Sequence, residues 1–396
     1  MSVLYNKNVA SKVLLMCLAD PSVNPRPRRV AHTLDSMGFV VDIASYAIKS
    51  RFSFNRHFVI PPVIKFVRFK IIRKFIIGLG LLFENFGMPS WYVKFIVYSW
   101  FRLGNIEDEI INNQYKLLIV EDLFLLPLAF ACKRNAKVLF DAREYYPRQR
   151  EESLMFRIFE KPLRTRLCRD YLIKCDKVIT VSNGLADEYF REFSVHAEVI
   201  RSTPFLSDFS PKAPHKDNIR LVHHGASHEN RGLENMIYLM RHLDRRFTLD
   251  LFLTPDNDYL KYLKVISQDD PRITFQEPVP FDLILPTLSK YDIGIIFYMS
   301  NAFNIMHCLP NKFFEFIQAR LMLLISPLPE MSKIVREYGC GIVAEKCDFS
   351  MVANILNHIS ADEITIYKNN SDIAAAELNW ECEKLKFCSI INSLIM

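Results

Sequence analysis

Glycine is scarce in this chain, 11 of 396 residues, and none stands where a cofactor phosphate would need it. The stretch from Lys12 to Leu18 reads as a short buried strand. The loop behind it, Asp20-Pro-Ser-Val-Asn-Pro-Arg-Pro27, contains no glycine at all. A backbone that wraps a pyrophosphate depends on glycine at that turn, so the NAD or FAD fingerprint is missing, and so is a Walker loop. The nine cysteines are odd in number, widely scattered and without a Cys-x-x-Cys pair. That excludes a zinc ribbon and a disulfide framework and points to a reducing compartment, with the thiols acting as small core hydrophobes. Long apolar runs are missing too. The longest, Phe75 to Phe83, is fenced by Arg73, Lys74 and Glu84 and falls short of the ~18 residues a spanning helix needs. Val13 to Ala19 runs into Asp20 with no cleavage pattern, so no signal peptide is expected and the chain reads as cytoplasmic.

The charge is unevenly placed. The chain carries a formal +6, yet the segment from Arg51 to Lys94 holds eight basic residues and one acidic residue, Glu84. The remainder has 42 basic against 43 acidic residues, a net of −1. If 62–83 is helical, positions 64, 67, 71, 75, 78 and 82 form an uncharged stripe, and Lys65, Arg68, Lys70, Arg73 and Lys74 spread over the rest. Such a helix could pack on its own domain with solvated cations. It could equally lie on anionic lipid, with Phe66, Phe69, Trp91 and Tyr92 near the interface. The coincidence of surplus charge with aromatics favours the membrane surface. No recognised nucleic-acid motif accompanies the segment, so a nucleic-acid partner is not expected.

Length alone argues for two domains, and half the residues are hydrophobic, as in globular chains. Strand and helix patterns alternate along 1–201, with strands expected at Phe39–Ile43, Leu117–Val120, Lys137–Phe140 and Asp176–Val181. The segment 202–218 dissolves into Pro, Ser, Lys and Asp and reads as a linker. A second alternating series fills 219–375, with strands at Ile219–His223, Leu249–Phe252, Ile273–Phe275, Ile293–Phe297, Met322–Ile325 and Gly341–Val343. A helix is expected over Ile373–Leu394, so 376–396 closes the chain. Alternation of this kind gives an α/β fold with parallel sheets covered on both faces.

Two places carry chemistry. The strand end His223-His224 runs into Gly225, and Arg231-Gly232 follows before a helix. A small residue there lets a ligand approach the backbone, and the cation can meet a phosphate, although a plain turn with an exposed arginine has the same pattern. Further on, Leu309-Pro310-Asn311-Lys312-Phe-Phe-Glu315-Phe places Pro310 at the first helical position. The free amides of Asn311 and Lys312 then sit at a positive helix end, the Lys312 ammonium adds a point charge, and Glu315 follows about one turn on. A carboxylate there can accept both hydroxyls of a ribose. Phe313, Phe314 and Phe316 make this a polar cluster in an apolar wall.

In order and spacing, these signposts resemble a bacterial family 4 glycosyltransferase of the GT-B fold. Asn24-Pro-Arg26 with its helix to Gly38 resembles the family's opening loop. Asp141-Ala-Arg143-Glu144 is similar to its Asp-x-His-Glu turn, and Asp176 to Ser182 to its following strand. His224-Gly225 through Arg231-Gly232 resembles the diphosphate loop, and Pro310 to Glu315 the donor helix. Trp380-Glu381 falls in the C-terminal helix that crosses back to the first domain in such enzymes.

The resemblance implies two Rossmann-like domains facing across a cleft, acceptor side first and donor side second. Gly225, Arg231, His307, Asn311, Lys312 and Glu315 would form the donor site, with Arg231 and Lys312 on the diphosphate and Glu315 on the ribose. Asn24, Arg26 and Ser182 would line the acceptor loops. Arg143, Glu144, Arg231 and Lys312 would be the catalytic set. His307 stands where the family has a glutamate and Arg143 where it has a histidine. His307 is thus either part of the sugar site or a structural histidine, and Glu144 either an acceptor base or the acidic start of the next segment. The implied reaction moves a sugar from a nucleotide-diphosphate donor to a glycan or lipid-linked acceptor in surface polysaccharide assembly. It is retaining and needs neither metal nor cofactor, and the enzyme is peripheral on the inner face of the cell membrane. A nucleotide-sugar 2-epimerase on the same fold and a non-catalytic binding subunit are the alternatives.

Overall fold

The computed structural model of the chain describes residues 11–49, 52–61, 94, 96–98, 103–345 and 348–395. The chain forms two compact units, Met1–Ile200 with Lys386–Met396, and Arg201–Leu385. The basic apolar stretch discussed above, with Lys65, Arg68, Lys70, Arg73 and Lys74, lies outside the described residues. Eight cysteines among the described residues are unpaired, and four of them, Cys17, Cys132, Cys168 and Cys340, are buried.

In the first unit, seven described strands form one sheet. They are β1 (Lys12–Met16), β2 (Val40–Ser45), β3 (Arg56–Val59), β4 (Tyr115–Val120), β5 (Lys137–Ala142), β6 (Lys177–Thr180) and β7 (Ala197–Val199), in the order β3-β2-β1-β4-β5-β6-β7. Every pairing is parallel. The central strands are runs of Val, Ile and Leu with almost no exposure, as expected of a sheet covered on both faces. The order reverses between β1 and β4, which opens a crevice at their C-terminal ends where such sheets take ligands.

The second unit repeats the plan with β8 (Ile219–Ala226), β9 (Phe247–Thr254), β10 (Ile273–Gln276), β11 (Ile293–Ile296), β12 (Met322–Ile325) and β13 (Gly341–Val343), ordered β10-β9-β8-β11-β12-β13 and all parallel. Here the order reverses between β8 and β11. The segment after Arg201 has no helix or strand, but it is held in place. The Trp380 amide donates to the Pro204 carbonyl at 2.7 Å, Leu206 N–H to Glu381, and Arg320 Nη2 to the Ser207 carbonyl at 2.8 Å.

The closing helix expected from Ile373 is two helices, Ala361–Glu377 and Trp380–Ile395. Asn379 divides them. Its amide group donates to the carbonyls of Ala375 and Ala376 and its oxygen accepts from Cys382 N–H, so one side chain ends the first helix and caps the second. A capping box of Ser360 and Glu363 starts the first of the pair. No helix among the described residues is long and apolar enough to cross a membrane.

Candidate functional site

Two basic side chains of the second unit, Arg231 and Lys312, meet beside the C-terminal end of β8. β8 runs on to Ala226, and Gly225 near its end has φ +119°, a region that side-chain-bearing residues rarely enter. Space forbids a side chain as well. A Cβ at Gly225 would stand 2.8 Å from Lys312 Nζ and 3.8 Å from Arg231 Nη1. The backbone at this point is therefore bare, with two cations beside it. Arg231 ends a short 3-10 turn, Glu229–Arg231, and Gly232 closes that turn at φ +58°. The guanidinium of Arg231 and the ammonium of Lys312 each lie 5.8 Å from the ring centre of the buried Tyr298, close enough for attraction to the ring face.

Lys312 is the second residue of the helix Asn311–Gln318 and is buried. Pro310 is not the first helical residue, as the sequence suggests, but the cap before it, with extended backbone. The helix opens one residue later, at Asn311, and its second amide belongs to Lys312 itself. The ammonium donates to His223 Nε2 at 2.9 Å. His223 has no exposed surface, and its Nδ1 lies 2.6 Å from the Ile295 carbonyl. A carbonyl only accepts, so Nδ1 carries the proton and Nε2 offers its lone pair to Lys312. Burial, with Lys312 next, holds the His223 imidazolium well below its ordinary range. Burial and then Arg231 hold Lys312 well below the usual lysine value, against the pull of Glu315. The half-buried Arg231 guanidinium and the buried Lys312 amine, with a neutral acceptor behind it, form a place for an anion.

Glu315 is buried one turn along the same helix, with Oε2 3.0 Å from His224 Nε2. The two atoms lack hydrogen-bond geometry, and both are buried without a hydrogen-bond partner. A carboxylate in that state is ready to accept from hydroxyl groups. Beside it lies a cavity of about 170 Å³, lined by His224, Gly225, Phe252, Thr254, Val279 and Leu288. A larger hollow of about 860 Å³ lies at the opposite ends of β9 and β10, among Arg241, Asp269, Asp270 and Arg272. Its Arg272 is already bound to Asp270 and to the carbonyls of Met240, Leu243 and Asp244.

Asn311 opens the helix that carries Lys312 and is half-buried. His307 caps a short helix, Phe303–Met306, with its ring 4.5 Å from Phe303 and Nδ1 3.8 Å from Glu330 Oε1. Contrary to the expectation that the chain holds no Asp-x-Asp triplet, Asp256-Asn257-Asp258 is one, and it has a local task. The Asn257 side chain caps the helix Asp258–Ile266, and Asp258 pairs with Lys261 at 3.0 Å on the surface. No cluster of metal-ligating side chains occurs among the described residues.

The remaining expected residues belong to the first unit. Arg26 is buried and grips both oxygens of the buried Asp141, at 2.6 and 2.9 Å, while Nη1 reaches the Ile200 carbonyl at 2.8 Å. It braces β5 against the end of the unit. Asn24 caps the helix Pro25–Ser36 without a side-chain bond, and Ser182 is the buried cap of the helix Asn183–Phe193. Arg143 stands at the reversal of the sheet, 3.6 Å from Glu121 and 3.9 Å from Asp122. Asp122 accepts from Leu18 N–H at 2.6 Å. Glu121, unread in the sequence, is fully buried with neither carboxylate oxygen hydrogen-bonded, and burial pushes its carboxyl up to about 8 against the pull of Arg143. Burial also raises the Glu144 carboxyl, while Gln149 opposes the shift. The Glu144 backbone carbonyl takes the Tyr189 hydroxyl at 2.7 Å.

No family model matches the chain, and no curated protein matches it either. Solved structures do. A sucrose-phosphate synthase from Thermosynechococcus elongatus superposes with a TM-score of 0.70 at 14% identity, over 97% of this chain and 99% of that one. HepE of Anabaena, in complex with UDP and glucose, gives 0.68 at 12% over 97% and 100%. WaaG, a glycosyltransferase involved in lipopolysaccharide biosynthesis, gives 0.64 at 11% over 94% and 99%. Two parallel sheets with interleaved helices, a C-terminal helix and end-to-end similarity to these enzymes give this chain the two-domain, Rossmann-like GT-B fold.

Proposed function

We propose that this chain is a nucleotide-sugar-dependent glycosyltransferase whose second unit binds the donor. The observation that carries the reading is the convergence of Arg231 and Lys312 on the bare backbone of Gly225, with the buried Glu315 carboxylate, whose Oε2 has no hydrogen bond, one turn away. A nucleoside diphosphate matches that set: phosphates on the two cations and the helix amides, ribose hydroxyls on Glu315, and the base toward the adjoining cavity. HepE, solved with UDP and glucose, supports a uridine nucleotide as the first donor to test. When the bond from the sugar carbon to the diphosphate oxygen breaks, negative charge grows on the leaving group. Arg231 and Lys312 stabilise it there, which is electrostatic catalysis without a metal. In a retaining course the departing phosphate itself takes the acceptor proton. The involvement of WaaG in lipopolysaccharide biosynthesis supports surface polysaccharide assembly as the setting.

Calorimetry with UDP tests the assignment. Glu315→Ala is expected to weaken binding by about 1–3 kcal/mol, the scale of hydrogen bonds to a charged group. Unchanged affinity in a folded variant would remove Glu315 from the site. Arg231→Ala and Lys312→Ala are expected to slow transfer far more than they lower the melting temperature, and transfer at the parental rate would refute the phosphate roles.

A further inference from the structure

The first unit has an exposed helical face that no part of the donor site explains. The chain turns helical at Leu154, passes through a wide π-helical stretch at Phe156–Glu160, and continues as the helix Lys161–Tyr171 and a last 3-10 turn to Lys174. One side packs inward through Phe156, Leu163, Leu167 and Cys168. The other side carries aliphatic residues into solvent: Leu154 at 60%, Met155 and Ile158 at 43%, and Ile173 at 73% exposure. Exposed single aliphatics are common, but three within two turns are not.

Charge decides what this face suits. The acids of the helix are already neutralised, Glu160 by Arg164 at 2.9 Å and Asp170 by Arg166 at 3.0 Å. Arg157, Lys161 and Arg169 are exposed and have no ion-pair partner among the described residues, and Lys174 is exposed beside the Tyr171 ring. Glu152 is the exposed acid just before the patch. Aliphatic side chains ringed by unpaired cations are the composition of a surface that rests in a bilayer interface, apolar tips among acyl chains and cations at the headgroups. A second copy of the chain would bring the same cations face to face. Nucleic acid would use the cations but has no use for Leu154, Met155 and Ile158.

We infer that the solvent face of the helix Leu154–Lys174 is a lipid-contact surface for anionic bilayers. It is separate from the Arg51–Lys94 segment and independent of the nucleotide-sugar reading.

Co-sedimentation of the full chain with vesicles of phosphatidylglycerol and phosphatidylcholine tests it. One variant carries Leu154→Ser, Met155→Ser and Ile158→Ser, and another carries Arg157→Gln, Lys161→Gln and Arg169→Gln. The side chains are exposed, so both variants should melt like the parent. Each is expected to need roughly tenfold more anionic lipid for half-binding. The aliphatic variant should lose affinity at high salt too, whereas the charge variant should differ from the parent mainly at low salt. Parental vesicle binding by both variants would overturn the inference, as would a parent that ignores anionic vesicles. Loss of binding only on substitution within Arg51–Lys94 would leave that segment as the anchor and refute this one. Tight binding of a single-stranded oligonucleotide that needs the cations but not the aliphatics, or a change of oligomeric state in the aliphatic variant, would also refute it.

Discussion

Lys312 and His223 are both held well below their ordinary values by burial. A lysine held below its ordinary value binds fewer protons in the folded chain than in the unfolded one. The sign follows directly: between the depressed value and the ordinary ~10.4, the empty protein gains stability as pH rises. A bound diphosphate reverses the local field, because its charge favours the ammonium. Nucleotide binding should therefore take up a proton, and affinity should fall as pH climbs above the empty-site value. Calorimetry of UDP binding in two buffers of different ionisation enthalpy reads this directly, and Lys312→Met should abolish the uptake. Identical enthalpies in both buffers with the parent protein would mean that Lys312 is already charged in the empty site. His223 is the residue that sequence reading could not supply. Two adjacent histidines at a strand end say nothing about which one faces inward, and only the Ile295 carbonyl fixes the tautomer that receives Lys312.

At the scale of elements, the helix Asn311–Gln318 is positioned from its far end. The fully buried Gln318 accepts from Ser207 N–H at 2.9 Å and donates to the carbonyls of Ala375 and Leu378 at 2.9 and 3.2 Å. One side chain thus ties the helix to the segment after Arg201 and to the C-terminal helices. Gln318→Ala leaves these buried groups unpaired and is expected to cost about 2 kcal/mol or more in urea unfolding. It should also weaken nucleotide binding, although it touches no ligand, because Lys312 and Glu315 ride on the same helix. A normal unfolding midpoint with normal affinity would mean that the helix is held by its apolar face alone. Elements also show what the sequence made legible. The central strands were readable because burial on both faces leaves continuous runs of Val, Ile and Leu, as at Met322–Ile325. The edge strands β3 and β7 were not. Arg-His-Phe-Val and Ala-Glu-Val are too short and too polar to stand out. Gly225, Arg231, Lys312 and Glu315, which the structure brings together in the second unit, each carry a local signal of turn or helix start. Glu121 gave none, because its surroundings depend on what a parallel sheet brings beside it from distant sequence. The break at Leu378–Asn379 was missed for a related reason: asparagine stops a helix only when its amide finds the carbonyls behind it.

For the whole molecule, the distribution of charge matters more than its total. The eight cations against one anion between Arg51 and Lys94 hold the entire positive surplus, and the rest of the chain is near neutral at −1. A uniformly basic protein would adhere to any polyanion, whereas a local surplus mixed with Phe, Ile and Trp favours a surface that is both charged and apolar. We expect this segment to hold the chain on anionic membranes. Each cation near such a leaflet contributes on the order of 1 kcal/mol, and the attraction decays within a Debye length. Five cations, Lys65, Arg68, Lys70, Arg73 and Lys74, lie close enough in sequence to act together. Replacing all five with Gln should weaken binding to anionic vesicles at low salt while leaving UDP binding unchanged, since none of them belongs to the unit that carries Arg231, Lys312 and Glu315. The same variant should bind neutral vesicles no worse than the parent, because the Phe, Ile and Leu residues of the segment are unchanged. If these cations instead only solubilise a helix packed on its own domain, the substitutions will leave vesicle binding unaltered and lower solubility. Sedimentation with anionic vesicles across a salt series, run beside UDP calorimetry, separates the two outcomes.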